Sequence, residues 1–197
     1  ANTNCKKVLV SGSCFEYSNQ KLQTKEVDNC EPKDYFTNAK LNLLKWLLEN
    51  KKKFNYEFIW FRIFYAFGSK QKKDSLIPYL IRTLKKNKMP DVKSPYTSLD
   101  FVHIETVAKY FIKGIKLNYK TGIYNIGRGK AVKILTILEI LEKKILKRKK
   151  SIFKDIYNKI NSKDPLEFSA DMNKSKVFKI SNNANFIKQI TKLINEY

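Results

Sequence analysis

The side chains with chemistry to offer are few. Ser13 carries a hydroxyl just past a short apolar run, and Tyr35 and Lys40 lie five residues apart where a periodic apolar segment begins. A phenol and an ammonium can hold or exchange protons, so acid–base work is the chemistry open to this set. Spacing restricts it. Residues four apart share one helix face, and four before Lys40 stands Phe36, which has no proton to exchange. Five helical steps put Tyr35 about 140° around the helix from Lys40, so it reaches the same site only if the first turn is distorted. Taken alone, Ser13 also reads as a turn residue and Lys40 as one more solvated lysine. Metal chemistry falls away. The single histidine, His103, cannot by itself build a metal site, and Cys5, Cys14 and Cys30 fit no ligand spacing. Three reduced thiols suit a cytosolic chain.

The elements that must position these groups alternate in type. Lys7 to Ser11 reads as a short apolar strand, followed by a polar loop to Cys30. Asp34 is placed to cap a helix running to Asn50, with Leu41, Leu44, Leu47 and Leu48 on one stripe. Leu43 and Trp46 widen that stripe, which predicts burial on more than one side. Glu57 to Phe64 is continuously apolar apart from Arg62, the pattern of a strand covered on both faces in a parallel sheet. Asp74 or Ser75 caps a helix to about Lys86, with Pro78 in its first turn. Leu99 to Ile104 reads as a strand, Glu105 to Leu117 as an amphipathic helix and Gly122 to Ile126 as another strand. Gly127 and Gly129 mark a turn, Ile134 to Leu146 is a helix, and Ala184 to Tyr197 is the last one. Lys147 to Pro165 is expected to be a mobile surface stretch. Alternating strands and helices place the chain in the α/β class. No apolar run approaches the ~20 residues that span a bilayer, and the first residues hold no signal-peptide core.

Four segments, in this order and spacing, resemble the extended short-chain dehydrogenase/reductase family, the NAD-dependent sugar-nucleotide epimerases and dehydratases. The first is VLVSGSCFEYS at 8–18, similar to a strand ending in a serine-rich turn before Tyr-Gly. The second is DYFTNAK at 34–40, similar to the helix start that carries Tyr-x-x-x-Lys. The third is FRIFYAFG at 61–68, similar to Arg-x-x-Asn-x-Tyr-Gly. The fourth is LDFVHIETVAKYF at 99–111 with GIYNIGRG at 122–129, similar to Arg-Asp-Phe-Val-x-Val-x-Asp-x-Ala and Tyr-Asn-Ile-Gly-x-Gly. Ala170-Asp171 followed by Lys174 fits a looser late pattern. The resemblance covers almost the whole chain.

It implies the C-terminal part of a Rossmann-like, doubly wound parallel sheet, plus a small, mostly helical substrate-binding region. Residues 1–68 would be the second half of the NAD(P)-binding domain. Residues 69–197 would be mainly substrate-binding, with 99–126 returning to the sheet. The implied chemistry is hydride transfer between a sugar carbon and NAD or NADP. In that family a tyrosine is the acid/base, and a lysine four residues on lowers its pKa and holds the nicotinamide ribose. Lys40 matches the lysine, Phe36 stands at the tyrosine, and Tyr35 is its neighbour. Ser13 would bond the substrate oxygen, and Tyr65, Asn125 and Arg128 would contact the substrate, a nucleotide-diphosphate sugar. Dehydrating members place acids in the two positions after that serine. Here those are Cys14 and Phe15, and Glu16, one residue late, is expected to face the other way. Epimerisation or 4-keto reduction is left. Tyr65, Leu99 and Thr106 stand where the family often has Asn, Arg and Asp. Arg62 and Asp100 are retained and are assigned to structural hydrogen bonding.

The resemblance also implies a glycine-rich pyrophosphate turn, and none of the six glycines forms GxxGxxG. The sequence therefore reads as a fragment or truncated copy, partnered by a complementary N-terminal polypeptide or a second copy as a homodimer. Two other functions compete. A catalytically degenerate homologue would keep the groove and act by binding; Phe36 is its evidence. A nucleic-acid binder would explain the net charge of +22, from 40 Lys and Arg against 18 Asp and Glu. Against that, the lysines are scattered, and the four arginines, Arg62, Arg82, Arg128 and Arg148, are too few for bidentate recognition. Nucleotide-sugars feed surface polysaccharide synthesis, which places such an enzyme in a cytoplasm.

Overall fold

A computed structural model describes residues 5–116, 120–157, 165–181 and 185–197. Three parallel strands organise it: β1 (Lys7–Ser13), β2 (Glu57–Ile63) and β6 (Gly122–Ile126), in the order β1-β2-β6. Lys7 pairs with Glu57 and Ser13 with Ile63. Ile59 pairs with Gly122 and Ile63 with Ile126. β1 and β2 are thus the parallel neighbours that the apolar runs predict, joined through helix α1 (Tyr35–Asn50).

The middle strand is apolar throughout because helices cover both its faces. Phe58 and Trp60 meet Leu44 and Leu47 of α1 on one side. Ile59 and Phe61 meet Val107 and Tyr110 of α3 (Ile104–Lys116) on the other. Each fully buried side chain contributes roughly 1.5–3 kcal/mol, so this sandwich anchors the ends of β1 and β2. The outer side of α1 departs from expectation. Leu43 and Trp46 stay about half-exposed, and Trp46 stacks on Phe54 instead of entering a second core.

Two small sheets extend the frame. β3 (Tyr65–Phe67) pairs in parallel with β5 (Phe101–His103). β4 (Ser98–Leu99) lies between antiparallel β7 (Val132–Lys133) and parallel β8 (Glu167–Phe168). The expected strand over 99–104 is therefore split at Asp100, whose buried carboxylate turns away to accept backbone N–H groups. Of residues 99–126, only β6 joins the three-stranded sheet. A larger apolar cluster packs α2 (Leu76–Lys85), α4 (Ile134–Ile145) and α6 (Phe186–Leu193) around Phe64, Phe67 and Phe101.

The expected surface stretch over 147–165 contains a packed helix, α5 (Ile152–Tyr157), with Phe153 and Tyr157 buried. The buried Glu142 carboxylate holds the turn before it, accepting from Arg148, Ser151 and the Ile152 N–H. The rest of that stretch, 158–164, lies outside the described residues, as does Ala184 at the expected start of the last helix. No helix among the described residues is long and apolar enough to cross a membrane.

Candidate functional site

β1 ends where its backbone turns sharply. Ser13 is its last residue and also caps a short 3₁₀ turn, Cys14–Glu16. The Ser13 hydroxyl accepts from the Phe15 N–H at 3.2 Å, which leaves the hydroxyl proton available to a ligand. The Ser13 N–H donates to the Glu16 carboxylate at 2.7 Å. Glu16 is fully buried and also accepts from the Trp60 indole at 3.1 Å and Arg62 Nε at 2.8 Å. Arg62 lies over the Tyr17 ring, 4.6 Å to its centroid, and donates to the Glu26 carbonyl at 3.0 Å. Glu16 thus faces away from the cleft, as expected, but through a 3₁₀ turn and an ion pair rather than the alternation of an extended segment. Gly12 makes the close packing feasible. A Cβ there would lie 2.1 Å from the Trp60 indole nitrogen and 2.7 Å from Glu16 Oε1.

The start of α1 supplies the second wall. Asp34 caps it, its carboxylate accepting from the Thr37 N–H at 2.7 Å. That bond, with the Thr37 hydroxyl, holds the Asp34 carboxyl below its ordinary range. Thr37 reciprocates by accepting from the Lys33 and Asp34 N–H groups. The first turn is therefore regular, and Phe36 and Lys40 share one face. Lys40 Nζ donates to the Ser11 carbonyl at 2.6 Å and sits 5.6 Å from the Phe36 ring centroid. The same regularity turns Tyr35 outward. It is 95% exposed and lines no part of the site, because the distortion it requires is absent.

A cleft of about 580 Å³ opens at the C-terminal ends of β1 and β2, lined by Ser13, Phe36, Lys40 and Tyr65. Burial and the neighbouring Cys14 thiol push the Tyr65 phenol above its ordinary pKa, so it stays a hydrogen-bond donor. Burial likewise pushes the Cys14 thiol up and keeps it protonated. Among the further lining residues to which the sequence reading gave no role are Phe15 and Gln71. Phe15 is signalled by nothing but its place after Ser13. Gln71 lies in a polar run after Gly68 that looks like any surface loop.

Asn125 and Arg128, expected against the substrate, do not line this cleft. Asn125 is fully buried, accepting from the Tyr17 hydroxyl at 2.6 Å and donating to the Thr24 carbonyl at 2.9 Å. Its amide is consumed in pinning the 14–30 loop to β6. The Arg128 guanidinium lies 4.4 Å from the Phe186 ring centroid, and its backbone N–H donates to Asp100 at 2.7 Å. Asp100 also accepts from Gly129 and Ala170, so Arg62 and Asp100 are structural, as expected.

The cleft can therefore offer a hydroxyl, an ammonium and a phenol, with the Phe36 ring beside the ammonium. Comparison with known proteins gives this arrangement its context. The chain superposes on the UDP-N-acetylglucosamine 4-epimerase of Methanobrevibacter ruminantium M1, solved with UDP-N-acetylmuramic acid. The TM-score is 0.83 at 22% identity, over 98% of this chain and 63% of that one. The UDP-glucose 4-epimerase of Thermotoga maritima, solved with UDP-glucose, matches at TM-score 0.81 and 13% identity, again over 98% and 63%. These likenesses establish the Rossmann-like fold. Among curated proteins, the CDP-abequose synthase of Salmonella muenchen is 30% identical over 88 residues, 44% of this chain and 30% of that protein. The chain thus spans less than two thirds of the length of each. Residues 1–127, which carry both walls of the cleft, match the family model described as NAD dependent epimerase/dehydratase family, and the chain belongs to that family.

Proposed function

We propose that this chain is the C-terminal part of a cytoplasmic nucleotide-sugar epimerase or 4-keto reductase that works with NAD or NADP. The observation that carries the reading is the gathering of Ser13, Lys40 and Tyr65 around one cleft at the C-terminal ends of parallel strands, where ligands of open α/β sheets bind. The Ser13 hydroxyl is oriented by the Phe15 N–H to donate to a sugar oxygen. Tyr65, kept protonated, offers a second donor. Lys40 is tethered beside the cleft and fits the ribose end of a dinucleotide. The pyrophosphate end does not fit, since none of the glycines at 12, 68, 114, 122, 127 and 129 forms a phosphate-binding turn. That part must come from outside these 197 residues. Residues 1–68 then form the second half of the cofactor-binding domain, with Ser13 and Tyr65 at its sugar-facing edge, and residues 69–197 are mainly substrate-binding.

A second reading has its own observation. Phe36 is 53% exposed in the cleft wall, beside Lys40, at the position where the acid/base belongs. A chain that binds nucleotide-sugar without turning it over fits that ring. The experiment combines Phe36→Tyr with an N-terminal nucleotide-binding half taken from a relative. It follows nicotinamide absorbance over a panel of 4-keto nucleotide-sugars. Either change alone should give little turnover. Together they should raise it by roughly 10²–10⁴, the usual worth of a general acid/base. Ready turnover by the unmodified chain would overturn this account of the site. No turnover by the combined protein, with sugar binding intact, would favour the binding homologue.

A further inference from the structure

Part of the cleft wall is fastened from far along the chain. Between β3 and α2 the backbone runs as a loop, residues 68–75, and Gln71 and Ser75 of that loop line the cleft. Its sequence does little to fix it. Residues 69–74 are Ser, Lys, Gln, Lys, Lys and Asp, and all but Gln71 are exposed. The anchor is Tyr197, four residues beyond the end of α6. Its hydroxyl lies 3.3 Å from the Gly68 carbonyl oxygen and 3.2 Å from that of Gln71. One proton is shared between two acceptors, a three-centre bond. The hydroxyl can therefore follow a small shift of the loop by favouring either carbonyl. The ring is packed against the cluster that holds Phe67, Ile77 and Leu193, so the hydroxyl reaches the loop from a firm base.

The residue so held is also the one with an unmet need. Gln71 Nε2 donates to the Ala66 carbonyl at 3.2 Å, and the flipped amide would set oxygen against oxygen. The opposite atom, Oε1, is buried without a hydrogen-bond partner. Ser13, Tyr65 and Ser75 bring hydroxyls to the same cleft and Lys40 an ammonium, while among the described residues no carboxylate lines it. Gln71 Oε1 is thus the side-chain acceptor there that carries no proton of its own. Such an acceptor costs stability until a donor reaches it.

Resting on the nucleotide-sugar reading, we propose that Tyr197 is a positioning residue for the cleft. Its hydroxyl holds the backbone at 68–71 so that the Gln71 amide oxygen meets one hydroxyl of the bound sugar. The C-terminal helix and the sugar are then linked through a single side chain, although Tyr197 itself touches no ligand.

Calorimetric titration of the 197-residue chain with UDP-glucose and CDP-glucose tests this without catalysis, beside hydrogen exchange of the free chain. Tyr197→Phe keeps the ring and removes the hydroxyl. It should weaken the tighter of the two ligands about fivefold, within the range of one lost hydrogen bond, and raise amide exchange over 68–75. Gln71→Leu should weaken the same ligand about tenfold. The double variant should bind no more weakly than Gln71→Leu, because Tyr197 acts through Gln71. Tyr56→Phe is the control for general loosening. It loses a bond of the same kind, to the Leu47 carbonyl at 2.9 Å, and should leave affinity unchanged. Unchanged affinity in Tyr197→Phe, additive losses in the double variant, or an equal loss in Tyr56→Phe overturns the proposal and leaves the nucleotide-sugar reading standing. If Tyr197→Phe fails to fold, unchanged affinity in a folded Gln71→Leu chain overturns it equally. A folded, unmodified chain that binds neither ligand overturns the nucleotide-sugar reading itself.

Discussion

Glu16 and Arg62 share a charge pair that is almost wholly out of water. Such a pair is tolerated only while each partner stays bonded, and removing one leaves a buried charge uncompensated. Glu16→Ala should therefore lower the unfolding free energy in urea by about 3–5 kcal/mol. Gly12→Ala acts on the same cluster by crowding. The new Cβ drives the indole of Trp60 off Glu16, an overpacking cost of about 1–3 kcal/mol. His103 gives a cleaner pH signature, because it is the one histidine in the chain. Burial holds its pKa below the ordinary 6.5, against the pull of Glu105 and Glu196 and with the push of Lys192 and Lys109. Below about pH 6.5 the unfolded chain takes up a proton that the folded chain declines. Stability then falls as pH falls. The thermal midpoint should drop between pH 7 and 5.5, and His103→Gln should flatten that slope. An unchanged slope in the variant would assign the effect elsewhere.

The first turn of α1 is the element on which the site depends, because it sets Phe36 and Lys40 on one face and sends Tyr35 out. Thr37→Val keeps its shape but strips the acceptor from the Lys33 and Asp34 N–H groups. It should cost about 1–3 kcal/mol and raise amide exchange over 35–40 before the rest of the helix opens. The elements around it were legible in the sequence to different depths. The Asp34 cap and the stripe through Leu44 and Leu47 announce α1, and the unbroken apolar run of β2 announces a covered parallel strand. Local pattern suffices there because burial and capping act within a few residues. The fate of Leu43 and Trp46 was not legible, since an apolar residue on a helix does not say whether anything packs on it. The partners of Asn125 were not legible for a related reason. Its motif marks the turn after β6, but its amide is spent on Tyr17 and Thr24, about a hundred residues away in sequence. Gln71 had no local mark at all; its meaning comes from a carbonyl at Ala66 and a cleft that only the folded chain creates.

At the scale of the molecule, the cleft is assembled from distant parts of the chain. β1, β2 and β6 are parallel, so each pairing spans a long crossover, and β1 takes β2 as its one strand partner among the described residues. The net charge of +22 comes from lysines scattered along the sequence rather than gathered in one run. The loop after Ser13 is fastened still later. The Thr24 N–H donates to the Ser169 carbonyl at 2.8 Å, and the Asp171 N–H donates to the Thr24 carbonyl at 2.8 Å. That clasp has a consequence for birth on the ribosome. A nascent chain can lay β1 against β2 once residue 63 has emerged, and Arg62 and Asn125 pin part of the segment 14–30, yet its clasp is incomplete until residue 171 is out. Until then the segment is only partly fastened, at the stage when contacts of high sequence separation leave chains open to aggregation and chaperone capture. Ribosomes stalled with residue 150 just beyond the exit tunnel should present 14–30 to protease more readily than those with residue 185 beyond it. Equal cleavage at both lengths would show that the loop docks without its C-terminal clasp.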